Sequence, residues 1–280
     1  MKAPLGTIYA HAFVTGASAG LGRAFTEMLL GEGVRVWGTA RDVVRLTELA
    51  SRHPATFTPV SLDLGDPEAA ERAFTRAASS IGGGFDLLVN NAGFGVFGEF
   101  AETDFAVWQS QLDRMLGATM RLAHTGLRGM RQRGRGCIVN VSSLATEFPL
   151  PFMSGYNVAK AGLSALSESL IVETHESGIT VVDFRPGDYR TDFNQAMSSV
   201  SSVASVPSPR IRRAWLGLEQ NLRAAPRPSR AADDLRRVLQ RGRSGVVRSG
   251  GFFQAKLAPL FARCVPAKVK RAAMAHYFGL

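Results

Sequence analysis

Cysteine is scarce in this chain. Its two cysteines, Cys137 and Cys264, lie far apart among 280 residues and form no Cys-x-x-Cys pair. Nothing therefore suggests a disulfide framework, and we expect a reducing cytoplasm as the compartment. The five histidines are scattered without the spacing of metal ligands, so we expect no metal site.

Long apolar runs are also missing. No run reaches the ~18 residues that cross a bilayer. The first ten residues contain one lysine and no long apolar segment, so we expect no secretory signal. Apolar residues make up 45% of the chain and charged residues 20%, which is typical of a globular protein. The length suits one large domain or two small ones with an ample core.

Acidic residues are nearly absent from the C-terminal end. Residues 201–280 contain 16 Lys and Arg against 3 Asp and Glu, whereas residues 1–200 contain 17 against 20. The net charge of +10 therefore belongs to the end of the chain. A nucleic acid would fit this charge. The sequence contains no recognition motif, however, and we expect no nucleic-acid partner.

Short apolar runs alternate with helix-length amphipathic segments along the chain. This alternation predicts βαβ units, and hence a parallel sheet covered on both faces. Ligands bind to such sheets beyond the carboxyl ends of the strands. The predicted strands cover residues 10–14, 34–39, 56–62, 85–89, 137–141 and 179–184.

A glycine-rich turn follows the first predicted strand. The segment Thr15–Gly22 reads TGASAGLG, and an amphipathic helix pattern begins at Leu21. Glycines let the backbone approach a pyrophosphate, and the N–H groups at a helix start stabilise its charge. Strand, turn and helix in this order predict a dinucleotide site.

Tyr156 and Lys160 are four residues apart, so on a helix they lie on one face. An ammonium beside a phenol lowers its pKa, which lets the phenol exchange protons with a carbonyl or alcohol near neutral pH. By itself this pair also fits an ordinary amphipathic helix.

Five ordered motifs together resemble the classical short-chain dehydrogenase/reductase family. They are the glycine turn, the Asn90–Gly93 turn, Ser143 thirteen residues before Tyr156, the tyrosine–lysine pair, and Arg185-Pro186-Gly187 with Thr191. The match runs from about residue 9 to residue 192. It implies one Rossmann-type domain with a doubly wound parallel sheet, and a homodimer or homotetramer.

The resemblance implies the cofactor site. An NAD enzyme places an acid at the end of the second strand, but Ala40 occupies that place here and Arg41 follows. Arginine suits a 2′-phosphate, which favours NADP(H) over NAD(H), with Asp42 either capping a helix or opposing the phosphate. The implied residues are Gly16, Ser18, Gly20, Leu21, Gly22, Arg41, Asp63, Leu64, Asn90, Ala92, Gly93, Tyr156, Lys160, Pro186, Gly187 and Thr191.

The same resemblance implies the catalytic roles, with one departure. Tyr156 would be the general acid and base, Lys160 would lower its pKa, and Ser143 would orient the substrate oxygen. Met115 stands where the family has an asparagine that supports a proton relay to the lysine. A thioether cannot donate a hydrogen bond. Two hypotheses follow: a reductase or dehydrogenase, or a dinucleotide-binding sensor or partner protein with little turnover.

Apolar residues flank the predicted catalytic pair. Loops beside a catalytic pair commonly line its pocket, which favours a lipophilic ketone or aldehyde and its alcohol. Packing as loop core is the alternative for each residue. The candidates, beside Ser143, are Phe94, Phe97, Phe148, Phe152 and Met153.

After residue 192 the resemblance fades. We predict a substrate loop and lid over 193–250, with helices at 210–223 and 230–241 and a last strand at Val246 and Val247. The end, 251–280, reads as a basic amphipathic tail that Pro259 and Pro266 divide. It would pack on the body or a second subunit, or else lie peripherally on an anionic membrane, and we favour packing.

Overall fold

Seven parallel strands form one sheet in the computed structural model, which describes residues 3–82, 84–191, 193, 197, 209–257 and 265–280. The strand order across the sheet is β3-β2-β1-β4-β5-β6-β7. The chain reverses its direction of winding beside β1, which confirms the predicted doubly wound, Rossmann-type sheet. The strands are β1 (His11–Val14), β2 (Arg35–Ala40), β3 (Phe57–Ser61), β4 (Leu87–Asn90), β5 (Gly136–Val141), β6 (Ile179–Pro186) and β7 (Gly245–Ser249).

Helices connect the strands and continue to the C-terminus. A π-helical turn, Asp113–Gly117, joins the fourth helix to the fifth. Among the described residues, no helix is long and apolar enough to cross a membrane. The helices are α1 (Gly20–Gly31), α2 (Thr47–Arg52), α3 (Pro67–Ser79), α4 (Phe105–Leu112), α5 (Ala118–Arg133), α6 (Ser154–Glu173), α7 (Pro209–Ala224), α8 (Pro228–Arg241) and α9 (Ala267–Tyr277).

Apolar side chains cover both faces of the sheet, because a parallel sheet is buried on both sides. On one face α1 and α8 pack through Phe25, Leu29 and Leu235, which are fully buried. On the other face α3 and α5 pack through Phe74 and Leu122. Each buried Phe or Leu contributes about 1.5–3 kcal/mol. These two layers hold the strand ends in fixed positions.

A third apolar cluster holds the C-terminus against the body. Phe278 is fully buried in it, with Phe97 and Met153 from loops and Ile211 and Leu218 from α7. This contact agrees with the packing interpretation of the tail.

The predicted elements after residue 192 are largely confirmed. Segments 210–223 and 230–241 form α7 and α8, and Val246 and Val247 lie in β7. Pro266 immediately precedes α9, so it does divide the tail. Pro259 and most of the proposed lid between 194 and 208 lie outside the described residues, as do the side chains at 253 and 256.

Candidate active site

A cavity of about 1390 Å³ lies along the carboxyl ends of six strands. The residues that line it at these ends are Gly16 after β1, Ala40 in β2, Leu62 after β3, Asn91 after β4, Ser142 after β5 and Pro186 in β6. Residues far apart in sequence meet here because parallel strands all end at one edge. The position is the one that the strand pattern predicted for a ligand.

The glycine turn has the geometry of an anion-binding loop. Gly16 has a φ of +71°, and a Cβ there would lie 3.1 Å from the Ala92 Cα. The Gly16 N–H donates to the Thr39 hydroxyl at 3.2 Å, which ties the turn to β2. The α1 helix begins after Ala19 with no side-chain cap and no acid in its first turn. Its first N–H groups are therefore available to a phosphate.

Two of the predicted cofactor residues do not line the cavity. Gly22 packs beneath the turn, where a Cβ would lie 2.1 Å from the Gly16 carbonyl oxygen. The Asn90 amide turns inward and donates to the Asn140 side chain of β5 at 2.9 Å. Both residues pack next to the glycine turn, on the side away from the cavity. The sequence did not reveal this, because the Asn90–Asn140 pairing depends on the register of β4 against β5.

Arg41 is exposed and lines the cavity after β2. The Asp42 carboxylate accepts from the Val44 N–H at 3.0 Å, which makes it the cap of the next turn. The capping role of Asp42 is therefore present, and this residue also lines the cavity. Arg45, within the short 3₁₀ turn Val43–Leu46, also lines the cavity. We did not predict Arg45, because its approach depends on how this turn folds back after β2.

Asp63 and Leu64 line the cavity after β3, as predicted. Asp63 accepts from the Gly65 N–H at 2.9 Å. Arg114, from the π-helical turn, reaches the same place, since a Cβ at Gly65 would lie 3.2 Å from its guanidinium. Arg114 was not predicted, because its approach depends on how α4 packs.

Ser143 and Tyr156 come together inside the cavity. Ser143 follows β5, where its hydroxyl caps a short 3₁₀ turn by accepting from the Ala145 N–H at 3.0 Å. Tyr156 stands in the first turn of α6 and lines the same cavity, close enough for the Ser143 hydroxyl to act on its pKa. Lys160 is one turn further along α6 and lies buried at the cavity wall. The three predicted catalytic residues are thus adjacent.

The electrostatics of this trio differ from the prediction. Burial raises the pKa of Tyr156, and the Asp188 carboxylate adds to this shift, although the neighbouring Ser143 hydroxyl acts in the opposite direction. The Lys160 ammonium donates to the Val141 carbonyl at 2.7 Å and lies 5.8 Å from the tyrosine ring centre. The expectation that Lys160 lowers the tyrosine pKa is therefore not met in this structure.

Burial also acts on Lys160 itself. It lowers the pKa of Lys160 to about 8, while the charge of buried Asp183 opposes the shift. Asp183 is fully buried and accepts hydrogen bonds from Ser142 and Ser164 and from the Arg185 guanidinium. This network lies directly behind the catalytic residues.

Met115 lies beside the catalytic lysine, as its alignment with the asparagine predicted. It is 2% exposed and lines the cavity within the π-helical turn. Such turns are frequent at functional sites because they redirect side chains. An apolar thioether therefore occupies the wall near Lys160.

The apolar wall contains three of the five predicted substrate residues. Phe94, Phe148 and Met153 line the cavity. The prediction is wrong for Phe97 and Phe152, which pack against each other behind the wall with ring centres 5.6 Å apart. Phe97 also contacts the Trp215 ring of α7 at 5.2 Å. Phe97 therefore packs against α7 instead of lining the cavity, and Phe152 packs against Phe97.

The end of β6 joins the cavity to the C-terminal helix. Pro186, Gly187 and Thr191 line the cavity, as predicted. Asp188, between them, accepts from the Tyr277 hydroxyl at 2.6 Å and from the Gln254 amide at 2.7 Å. The contact between Asp188 and α9 was not predicted, because no sequence pattern links residues this far apart.

The parallel sheet and the glycine loop at its edge define a Rossmann-type, dinucleotide-binding class of protein. Residues 10–201 match the family model described as short chain dehydrogenase. The chain belongs to the short-chain dehydrogenase family of oxidoreductases, which confirms the resemblance found in its motifs.

Individual relatives agree with this assignment. The chain is 31% identical over 203 residues to the 3-oxoacyl-(acyl-carrier-protein) reductase FabG of Vibrio cholerae, which covers 71% of this chain and 83% of that protein. A short-chain dehydrogenase from Streptomyces avermitilis superposes with a TM-score of 0.79 at 28% identity, over 95% of both chains. A metagenomic short-chain oxidoreductase in complex with NADP superposes at 0.67 and 28% identity, over 85% of this chain and 96% of that one.

Proposed function

We propose that the protein is an NADP(H)-dependent oxidoreductase that interconverts a lipophilic ketone or aldehyde and its alcohol. The observation that carries this proposal is that Ser143, Tyr156 and Lys160 line the same cavity as the glycine loop. A hydroxyl and a phenol that share one position can hold one carbonyl oxygen between them.

The residues present fit a phosphorylated dinucleotide. The uncapped start of α1 and the close approach at Gly16 suit a pyrophosphate. Arg41 and Arg45 provide two guanidinium groups where an NAD enzyme would place an acid. The metagenomic relative that was solved with NADP supports the same choice.

Each catalytic side chain has a distinct task in this proposal. When bound, NADPH supplies the hydride. Ser143 orients the substrate oxygen, and the Tyr156 hydroxyl gives that oxygen a proton during reduction or removes it during oxidation. Lys160 provides positive charge near the phenol, and burial lowers its own pKa to about 8, closer to neutral pH.

We propose that α9 closes the substrate end of the cavity. Val269, Met274 and Tyr277 of this helix line the cavity, and the Tyr277–Asp188 hydrogen bond joins it to β6. Phe278 anchors the end of the helix in the third cluster. This use of the apolar residues favours packing of the tail over peripheral contact with a membrane surface.

A homodimer or homotetramer is a further part of the proposal. Val158 and Val172 are 56% and 76% exposed on α6, and Phe105 is 65% exposed on α4. Fourteen residues separate the two valines, so they share one helix face. A second copy of the chain would cover these side chains, and light scattering would measure its presence.

Met115 supports a second candidate function, a dinucleotide-binding protein with little turnover. An apolar side chain beside Lys160 cannot hold a water that relays protons. The Lys160–Val141 contact also keeps the ammonium on a backbone carbonyl.

NADPH oxidation with a panel of ketones tests the two candidates. The panel pairs each apolar ketone with a hydroxylated ketone of the same carbon number, and calorimetry measures NADPH binding. The reductase proposal predicts turnover that favours the apolar member of each pair. NADPH binding without turnover of any ketone would support the second candidate instead.

A further inference from the structure

Lys270 places a cation on the cavity wall opposite an aromatic ring. It stands in α9, lines the cavity and is only partly exposed. Its ammonium lies 5.1 Å from the centre of the Phe148 ring. Phe148 belongs to the loop between Ser143 and Tyr156, so the cation faces the substrate side.

The other charged groups around the cavity already have assigned tasks. Arg41, Asp42, Arg45, Asp63 and Arg114 surround the end assigned to the dinucleotide. The remaining two are Lys160 and Asp188. Lys160 donates to the Val141 carbonyl, and Asp188 accepts from Tyr277 and Gln254.

Lys270 differs from these groups in its surroundings. No carboxylate in the described part of the chain forms an ion pair with it. The ring of Phe148 lies next to its ammonium, and Leu150, Val265 and Met274 add apolar side chains to the lining of the same cavity. A half-buried ammonium without an acidic partner loses hydration that an anion would replace.

The distance between Lys270 and Tyr277 along α9 indicates how long the substrate is. Lys270 and Tyr277 are seven residues apart, so they lie on one helix face about 10 Å from each other along the axis. Tyr277 contacts Asp188, whose charge acts on Tyr156. An anion at Lys270 would therefore be separated from the reacting oxygen by an extended apolar segment.

We propose that the substrate is an amphipathic carbonyl compound: an apolar chain with an anionic group, a carboxylate or phosphate, that binds Lys270. This inference rests on the proposed reductase function and specifies its substrate class. Phe148 and Met274 contact the chain, while the ammonium binds the anion.

The test uses the full-length protein saturated with NADPH and three probes with the same alkyl ketone. One probe ends in a carboxylate, the second is its methyl ester, and the third ends in a phosphate. NADPH oxidation gives kcat and KM, and calorimetry with the matching unreactive fatty acid and its methyl ester gives a Kd independent of turnover. The parent is compared with Lys270→Met, Lys270→Arg and, as the matched control, the exposed Lys268→Met.

We expect the anionic probes to have a KM about 10-fold or more below that of the ester, since hydrogen bonds to charged groups are among the strongest. Lys270→Met should remove this difference and leave kcat and NADPH affinity unchanged. Lys270→Arg should retain it, and Lys268→Met should behave as the parent. The better of the carboxylate and phosphate probes identifies the anion.

Equal affinity for the acid and the ester in the parent would overturn the inference. So would an unchanged preference for the acid in Lys270→Met. Failure of the proposed function looks different: no probe would be reduced, while the calorimetric comparison would still show whether Lys270 selects an anion.

Discussion

Met115 and Lys160 both lie close to Gly93. A Cβ at Gly93 would be 3.2 Å from the Met115 Cε and 3.6 Å from the Lys160 Nζ. A methyl group therefore lies near the lysine, at the position that the family resemblance assigns to an asparagine. The predicted catalytic residues Ser143, Tyr156 and Lys160 remain together, which favours the reductase. The methionine beside Lys160 favours the candidate with little turnover.

Met115→Asn should raise kcat modestly and lower the melting temperature. The amide would support a water beside Lys160, and a positioned proton link is typically worth ~10²–10⁴-fold, part of which another route already supplies. Replacing a buried apolar side chain with an amide costs stability. Steady-state turnover at saturating NADPH measures the gain, with Met120→Asn, an exposed site on α5, as the control.

A folded Met115→Asn variant that binds NADPH and is no faster than its parent would contradict this role. The rate-limiting step would then lie outside the proton relay.

Arg41→Ala should reduce the preference for NADPH over NADH. The guanidinium provides charge and two parallel donors for a 2′-phosphate, which NADH lacks. Arg45→Ala should act in the same direction, and the double variant should come closest to equal affinity. Calorimetric Kd values for both dinucleotides measure this. Arg35→Ala, at the opposite end of β2, should change neither. Equal affinities of the parent protein for NADPH and NADH would contradict the proposed role of Arg41.

Lys160→Met should stabilise the cofactor-free protein near neutral pH. The unfolded lysine has a pKa near 10.5, and burial lowers it to about 8. Between these values the unfolded chain binds more protons, so the contribution of Lys160 to stability rises with pH. Below this window it is charged in both states, and the cost of burying that charge is on the order of 3 kcal/mol, partly offset by the Val141 hydrogen bond.

The gain should therefore shrink as pH rises from about 8 to about 10.5. Urea midpoints of the parent and the variant across this range give the difference, with Lys268→Met as the exposed control. Two outcomes would contradict the proposed free-energy cost of burying the Lys160 charge. One is a loss of stability in Lys160→Met at neutral pH, and the other is a stability difference between variant and parent that does not change with pH.

Tyr277→Phe should raise the KM for an apolar ketone several-fold without changing the Kd for NADPH. The variant removes the hydroxyl that donates to Asp188. The α9 helix then loses this polar contact with the loop after β6. Hydrogen exchange over 267–277 should become faster. Tyr9→Phe removes a buried hydroxyl that donates to the Leu239 carbonyl of α8, far from α9, and should leave both constants unchanged. Unchanged hydrogen exchange over α9 in Tyr277→Phe would show that the Tyr277–Asp188 hydrogen bond does not hold this helix in place.

The fold could be predicted from the sequence because its signals are local. Strands buried on both faces read as short continuous apolar runs, and each run lies within about two residues of the observed strand. The residues directly after those runs had to meet at one edge, whatever the details of packing. Gly16, Asp63, Ser143 and Pro186 were therefore placed correctly.

The rest of the site depends on packing that no local pattern records. Arg114 and Tyr277 reach the cavity from helices whose docking involves distant residues. Phe97 stands beside the predicted pocket in sequence, but α7 offers it Trp215 as a neighbour, and it turns away. The pKa of Tyr156 is raised chiefly by burial, which the four-residue spacing to Lys160 does not record.

The central claim is that Tyr156 exchanges the proton in a reaction that NADPH drives. The most direct measurement is NADPH oxidation by the parent and by Tyr156→Phe with one apolar ketone, alongside the NADPH Kd of both. The account predicts that kcat falls by ~10²–10⁴-fold while the Kd stays nearly unchanged, because only the acidic hydroxyl is lost. A Tyr156→Phe variant that retains most of its turnover would contradict the account, since another group would then be the acid.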